Sequence, residues 1–202
     1  MVTRDRDVQA FGDRAPAYET GYRGQFHIDV VTRAVNLALA HCPSPERILD
    51  VGCGTGMALR ELARRLPGAV TLAGVDAAAG MIGQARAQSQ DPRLTFVQAA
   101  AERLPFGDGA FDLVISTTSF DHWADQQAGL AECHRVLAPR GCFVLADLCS
   151  SWLLPTLIGG RRDRARTPLR ATRLLAAAGF RSLAWHRLHA GIIRAVTASP
   201  SA

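Results

Sequence analysis

Short apolar runs alternate along this chain with stretches in which apolar residues recur every three or four positions. The runs have the length of buried strands, and the wider spacing is typical of helices with one buried face. Strands that alternate with helices predict an α/β fold, a doubly wound Rossmann-like sheet that is mostly parallel, with an antiparallel C-terminal strand. The pattern predicts about seven strands, at 47–51, 70–75, 94–99, 111–117, 142–148, 181–187 and 191–197.

The predicted helices fill the intervals between these strands. Apolar residues at steps of four place one helix over 28–40, ahead of the first strand. Thr167 and Pro168 suit an N-cap and a first helical residue, and Gly179 suits a helix C-terminus. Residues 1–26 are polar, and we expect irregular structure there. Other helices are predicted at about 57–66, at about 78–88 and in a segment that ends at 137.

Composition narrows the class of protein. A chain of 202 residues that is 48% hydrophobic and 20% charged is typical of one globular domain. No apolar run approaches a membrane span, and the charged first residues lack the apolar core of a signal peptide. The five cysteines include no C-x-x-C pair, so we interpret them as reduced thiols of a cytoplasmic protein.

Positive charge is concentrated towards the C-terminus. Residues 161–202 hold nine Arg and one Asp, whereas residues 1–160 hold fourteen Arg and seventeen acids. The basic segment either meets an acidic partner, such as a substrate, an acyl carrier or a membrane surface, or is a solvated face. No basic patch is interleaved with aromatic residues, so we expect no nucleic acid partner.

The clearest chemical signal lies where the first strand meets a helix. Asp50 comes near the end of the strand, and Gly52, Gly54 and Gly56 follow at every second position. Ligands of open α/β sheets bind outside such strand ends, and glycines let a ligand approach the backbone closely. A nicotinamide dinucleotide fingerprint needs a small residue where Met57 stands, which disfavours an oxidoreductase.

A second carboxylate follows the next strand. Asp76 lies twenty residues beyond Gly56. At that distance an acid can reach ribose hydroxyls bound at the glycine turn. Asp76 is therefore a candidate to receive the ribose of a ligand bound at the turn.

Several blocks in a fixed order extend this signal over residues 11–196. The turn at 50–56 has the form Asp-x-Gly-x-Gly-x-Gly, and an acidic block with Met81 and Ile82 follows the second strand. The chain resembles the class I S-adenosylmethionine-dependent methyltransferases, small-molecule type, in the order and spacing of these blocks. Further blocks with this resemblance stand at 102–106, 111–115, 132–141 and 177–180.

The resemblance implies S-adenosyl-L-methionine as the cofactor. Its amino acid end would meet the glycine turn, with Asp50 receiving the ammonium group and Asp76 the ribose. Ala100 departs from the family, which often has an Asp there for the adenine amino group; the N–H of Ala101 remains for the ring. The implied cofactor-binding residues are Tyr18, Asp50, Gly52, Cys53, Gly54, Gly56, Asp76, Ala77, Met81, Ala100, Ala101, Glu102 and Ser116.

His122 is the candidate catalytic residue. Its loop follows the fourth strand, beside the reacting methyl group in this architecture, and it would act as a base if the acceptor is a hydroxyl. The alternative is a structural His that fixes the loop, and Trp123 beside it is expected to pack. Tyr18 and Tyr22 lie in the segment that often closes over the cofactor. The other histidines lack metal-ligand spacing, so we predict no metal.

These features predict metal-independent methyl transfer to a small-molecule acceptor by in-line displacement. The alternative is a noncatalytic S-adenosylmethionine-binding regulatory module, which the Ala100 departure favours. We expect one domain, 1–202, made of an N-terminal lid segment (1–27), a cofactor-binding core (28–148), and a short basic connection, helix and terminal strand pair (149–202). The sequence indicates neither the acceptor nor the oligomeric state.

Overall fold

A computed structural model describes residues 3–68, 71–148, 167–189 and 193–200. Within these ranges the strands are β1 (Arg47–Val51), β2 (Thr71–Asp76), β3 (Leu94–Gln98), β4 (Phe111–Thr117), β5 (Leu137–Leu148), β6 (Phe180–His189) and β7 (Ile193–Pro200). They form one sheet in the order β3-β2-β1-β4-β5-β7-β6. The first five strands pair in parallel, and β7 is antiparallel to both of its neighbours. The predicted fold class is confirmed.

Helices cover both faces of this sheet. The described helices are α1 (Thr3–Arg14), α2 (Gly21–His41), α3 (Met57–Arg65), α4 (Ala79–Gln88), α5 (Gln126–Val136) and α6 (Pro168–Ala177), with 3-10 turns at Ala15–Ala17 and Phe120–His122. The start of α6 has the predicted cap, because the Thr167 hydroxyl accepts the N–H of Arg170 at 3.3 Å. None of the described helices combines the length and the apolar character needed to cross a bilayer.

The core has two halves, one on each face of the sheet. Alternation along β1 sends Ile48 into the cluster with α2 and α3, and Leu49 into the cluster with α5 and α6. Both side chains are fully buried. Each such burial stabilises the fold by about 1.5–3 kcal/mol, so the strand is fixed in register from both sides. The carboxyl end of β1, which carries the glycine turn, is held by this packing.

Two predictions about the chain's organisation are wrong. Residues 1–26 were expected to be irregular, but within them residues 3–26 contain α1, a 3-10 turn and the start of α2. The helix α1 is set against α4, where a Cβ on Gly80 would lie 2.6 Å from the carbonyl oxygen of Gly12. This tertiary contact leaves no mark in the local pattern. Strand β5 also begins at Leu137, five residues before the predicted start, while the predicted connection at 149–166 lies outside the described residues.

Candidate functional site

The glycine turn after β1 folds back onto the end of β2. The N–H groups of Gly52 and Cys53 both donate to the carbonyl of Val75, at 2.8 and 2.9 Å. Gly52, Gly54 and Gly56 have φ angles of 75°, 52° and 83°, which disfavour other residues. A Cβ on Gly52 would lie 2.2 Å from the Ser119 hydroxyl, whereas a Cβ on Gly54 would meet nothing within 4 Å. Gly54 therefore presents bare backbone to open space.

Asp76 holds this turn against the start of α4. One carboxylate oxygen accepts the N–H of Gly54 at 2.9 Å, and the other accepts the N–H of Ala78 at 2.8 Å. Burial raises the pKa of Asp76, and these two hydrogen bonds oppose the rise. Each oxygen keeps a further acceptor site, so the carboxylate can also receive ligand hydroxyls.

Asp50 lies directly beneath the turn and is only 1% exposed. Among the described residues its Oδ1 has no hydrogen-bond partner. Burial, and secondarily the charge of Asp76, raises the pKa of Asp50 to about 8. A buried carboxylate without a cation is costly, so the position favours a cationic group bound above it.

A cleft with about 610 Å³ of empty space opens in front of the turn. The predicted cofactor residues that line it are Tyr18, Gly52, Gly54, Asp76, Ala77 and Met81. It is also lined by Val8, Phe11, Ala78, Thr117, Thr118, Ser119 and the predicted catalytic residue His122. Cys53 lines a smaller pocket beside it, together with Tyr18 and Gly54. The residues that line this cleft are far apart in the sequence, because they come from α1 and from the ends of β1, β2 and β4.

Tyr18 stands between the cleft and a wider outer cleft. Its ring stacks on His27 at a centroid distance of 4.9 Å, and Thr118 lines the cleft beside it. Burial, then the negative charge of Asp76, raises the pKa of Tyr18, so the phenol stays protonated at neutral pH. Tyr22 behaves differently, since it is 92% exposed and lines neither cleft. Of these two tyrosines of the N-terminal segment, Tyr18 borders both clefts and Tyr22 borders neither.

The end of β4 is shaped by polar contacts that run back to the turn. Ser119 donates to the carbonyl of Val51 at 3.0 Å, so its only proton is used, and Ser116 must donate to Ser119 at 2.9 Å. Ser116 is fully buried and supports the turn from behind. Thr118 has a φ of 49°, unusual for a β-branched residue and worth about 1–3 kcal/mol of strain.

His122 belongs to the 3-10 turn Phe120–His122 and is exposed. Its ring lies edge-on to Phe11 at a centroid distance of 4.7 Å, and it lines both the cleft and the outer cleft. Trp123 is buried against Phe120 and Gly129, as the packing interpretation expects. The two neighbours thus face different surroundings, and His122 alone of the pair borders the cleft.

Not every predicted site residue meets the cleft. Glu102 accepts the N–H of Asp125 at 2.9 Å and so fixes the start of α5. Leu104, in the same loop, donates to Glu132 at 2.8 Å. The predicted residues that line none of the described pockets are Asp50, Gly56, Ala100, Ala101, Glu102 and Ser116. Of these, Asp50, Gly56 and Ser116 lie in or behind the turn.

Sequence reasoning missed several residues of the site. Phe11, Thr118 and Ser119 line the cleft, and Glu19 contacts the turn residue Thr55. Only Thr55, inside the glycine motif, carried a local signal. In the described ranges no group of three or more His, Cys, Asp or Glu is arranged to hold a metal ion.

Comparison with known proteins places this geometry in a family. A family model described as "Methyltransferase domain" matches residues 49–145. A malonyl-[acyl-carrier protein] O-methyltransferase of Geobacter sulfurreducens is 40% identical over 199 residues, covering 91% of this chain and 73% of that protein. A demethylmenaquinone methyltransferase of Thermus thermophilus is 43% identical over 117 residues, covering 57% of this chain and 52% of that protein.

A solved structure agrees on the fold. The putative methyltransferase in complex with the Haloferax volcanii Trm112 methyltransferase activator matches with a TM-score of 0.81 at 20% identity, covering 100% of this chain and 98% of that one. Together with the relatives, the comparisons define a class: the chain belongs to the class I S-adenosylmethionine-dependent methyltransferases. It spans about half the length of the Thermus relative and about three quarters of the Geobacter one.

Proposed function

We propose that the protein transfers a methyl group from S-adenosylmethionine to a small-molecule acceptor, without a metal and by in-line displacement. The cofactor supplies a methyl group that is activated on a sulfonium. The protein's contribution is then to bind both molecules and align them, and positioning alone can provide much of the acceleration.

The observation that carries this proposal is the buried carboxylate of Asp50 beneath the glycine turn. Its Oδ1 lacks a partner among the described residues, and its pKa is raised to about 8. An ammonium group above the turn would offset the cost of charging it. A dinucleotide would instead bring an anionic pyrophosphate to the turn, close to Asp50 and Asp76, which is unfavourable. The site therefore fits an amino acid end better than a pyrophosphate.

Other residues of the cleft suit the remaining parts of the cofactor. Gly54 presents open backbone to the amino acid end and Gly52 also lines the cleft, while the free acceptor sites of Asp76 suit two ribose hydroxyls. Ala77 and Met81 give the neighbouring wall an apolar surface. The loop with Ala100, Ala101 and Glu102 remains the proposed adenine side.

The acceptor is proposed to enter through the outer cleft. This space of about 1360 Å³ shares Phe11, Tyr18, Thr118 and His122 with the cleft at the turn. If the acceptor is a hydroxyl, His122 can take its proton. The named relatives include an O-methyltransferase of malonyl-[acyl-carrier protein] and a demethylmenaquinone methyltransferase, so relatedness alone does not select one acceptor.

Calorimetry and a transfer assay test the proposal. We expect S-adenosylmethionine and its demethylated product to bind and NAD not to bind. Labelled S-adenosylmethionine with a panel of hydroxyl, amine and carbon acceptors, with and without EDTA, should then give transfer that the chelator does not reduce. Binding of NAD alone would refute the cofactor assignment. Tight cofactor binding without transfer to any acceptor would support the regulatory alternative.

A further inference from the structure

A compact cluster ties the N-terminal segment to the glycine turn. The Thr55 hydroxyl donates to Glu19 Oε1 at 2.5 Å, and Arg60 Nη2 donates to the same oxygen at 2.6 Å. Arg60 Nη1 also donates to the Thr55 carbonyl at 2.5 Å. Glu19, Thr55 and Arg60 thus close a ring of hydrogen bonds, which we term the Glu19 link.

The link joins the two sides of the cleft. Glu19 directly follows Tyr18, and Thr55 stands between Gly54 and Gly56. Behind Glu19 the chain packs so closely that a Cβ on Gly24 would lie 2.2 Å from the Glu19 carbonyl oxygen. A shift of Glu19 would therefore move Tyr18 and release Thr55 together.

The surroundings make these contacts stronger than an ordinary surface pair. The side chains of Glu19 and Arg60 are about three quarters buried, and Thr55 is fully buried. Charged hydrogen bonds that are partly shielded from water outweigh exposed ion pairs. On the same helix as Arg60, Glu61 pairs with Arg64 and Arg65, three and four residues away, so these ion pairs of Glu61 stay within α3, although Arg65 also donates to Asn36 of α2.

We propose that Glu19 is a positioning residue that holds Tyr18 across the cleft, so that a ligand bound at the glycine turn leaves only after the Glu19 link opens. This proposal rests on the proposed function for the identity of the ligand. Glu19 need not touch the ligand, because it acts through Tyr18 on one side and through Thr55 on the other. Cofactor exchange is then controlled by the protein's own N-terminal segment.

The first experiment measures the dissociation rate of S-adenosylhomocysteine, the unreactive product, by stopped flow. Glu19→Gln keeps the shape of the side chain and removes its charge, and we expect dissociation to be about 10- to 100-fold faster. Glu61→Gln is the matched control: it removes a carboxylate from the pairs with Arg64 and Arg65, and its rate should stay within about twofold of wild type. The double variant Arg60→Met/Glu19→Gln should release S-adenosylhomocysteine at about the same rate as either single variant, because both substitutions open the same link.

A second measurement uses the ligand-free protein. Hydrogen exchange of the amides of residues 15–20 should be faster in Glu19→Gln than in wild type, and unchanged in Glu61→Gln. Unchanged exchange in Glu19→Gln would overturn the proposal, as would faster exchange with an unaltered dissociation rate. Failure of wild type to bind S-adenosylhomocysteine would refute the proposed function and the control of release with it. In that case the hydrogen-exchange measurement on the ligand-free protein would still show whether the Glu19 link holds the N-terminal segment.

Discussion

The two walls of the cleft are built in different ways. One wall, the turn wall, consists of Gly52, Gly54 and Asp76, at the ends of two adjacent buried strands. The other, the N-terminal wall, consists of Phe11 and Tyr18, on α1 and just after the 3-10 turn. The turn wall presents backbone groups and a carboxylate, whereas the N-terminal wall presents aromatic rings.

This difference separates a shared task from a selective one. Backbone at the end of a packed strand can move little, so the turn wall is suited to hold the same ligand group in every catalytic cycle. The N-terminal segment is held by the contact between Gly12 and Gly80 and by the Glu19 link, outside the sheet. Side chains on this segment can therefore be substituted without disturbing the sheet. We infer that the turn wall determines which cofactor binds and that the N-terminal wall, with His122, determines access and reactivity.

The largest effect is expected at His122, where the comparison predicts loss of turnover without loss of cofactor affinity. If His122 is a general base, His122→Ala should lower turnover by about 10²–10⁴-fold, because it removes the side chain that takes the acceptor proton. Wild-type turnover should rise with pH, since the base must be unprotonated. Steady-state rates across pH measure the turnover and its pH dependence, and calorimetry measures the cofactor affinity.

A matched control for this substitution is His41→Ala, at the C-terminal end of α2 and outside both clefts. It should leave turnover unchanged. A folded His122→Ala protein with near-normal turnover and an unchanged pH profile would remove His122 from the mechanism. Catalysis would then rest on alignment of the reactants.

The next largest effect concerns the rigidity of the turn wall. Gly52→Ala places a Cβ 2.2 Å from the Ser119 hydroxyl, at a φ of 75°. We expect it to lower the free energy of unfolding by about 2–4 kcal/mol through strain and overpacking, and to weaken cofactor binding as well. Urea unfolding measures the stability. Gly83→Ala, a helical site with open space, should instead be neutral or stabilising by up to about 1 kcal/mol. Equal stability of the two variants would contradict the assigned role of Gly52.

The contrast between the walls also explains how far sequence reasoning reached. Strands β1 and β4 were predicted to the residue, because continuous apolar runs ended by turn residues are local signals. The turn wall was found for the same reason. Of the N-terminal wall, Tyr18 was expected from the family resemblance but Phe11 was not. Phe11 lies on α1, which is polar and whose place depends on a contact between Gly12 and Gly80, almost seventy positions apart. Glu19 was missed because its partners, Thr55 and Arg60, are close only in the folded chain.

Asp76 provides a smaller and more selective test of the turn wall. Asp76→Ala should weaken cofactor binding by about 1–3 kcal/mol, since it removes the acceptor proposed for ribose and leaves the N–H groups of Gly54 and Ala78 without their carboxylate. Calorimetry with S-adenosylhomocysteine measures the change. Asp108→Ala, where the side chain is 81% exposed, is the control and should have no effect on affinity. An unchanged dissociation constant for Asp76→Ala would count against the ribose role.

The smallest effect, measured per pH unit, concerns Asp50, and it tests the turn wall without a substrate. The pKa of Asp50 is about 8 in the folded chain, against about 3.9 for an unfolded Asp. Between these values the folded state holds a proton that the unfolded state has lost. The stabilising contribution is therefore full below about pH 3.9 and is lost as pH rises through the folded pKa, by up to about 1.4 kcal/mol per pH unit. Urea unfolding of the ligand-free protein between pH 5 and pH 8 measures this slope.

Asp50→Asn separates this carboxyl from the histidines that titrate in the same range. The variant keeps the side chain's shape and cannot lose a proton, so its stability should fall less steeply with pH than that of wild type. Calorimetry of S-adenosylhomocysteine binding at about pH 7, in two buffers of different ionisation enthalpy, measures how many protons are released when the ligand binds. Wild type should release a proton as the ammonium group binds above Asp50, and Asp50→Asn should not. S-adenosylmethionine should give the same proton count, because the two ligands share the amino acid end and differ at the sulfur. Equal pH slopes and equal proton counts for the two proteins would show that Asp50 is not the group that receives the ammonium.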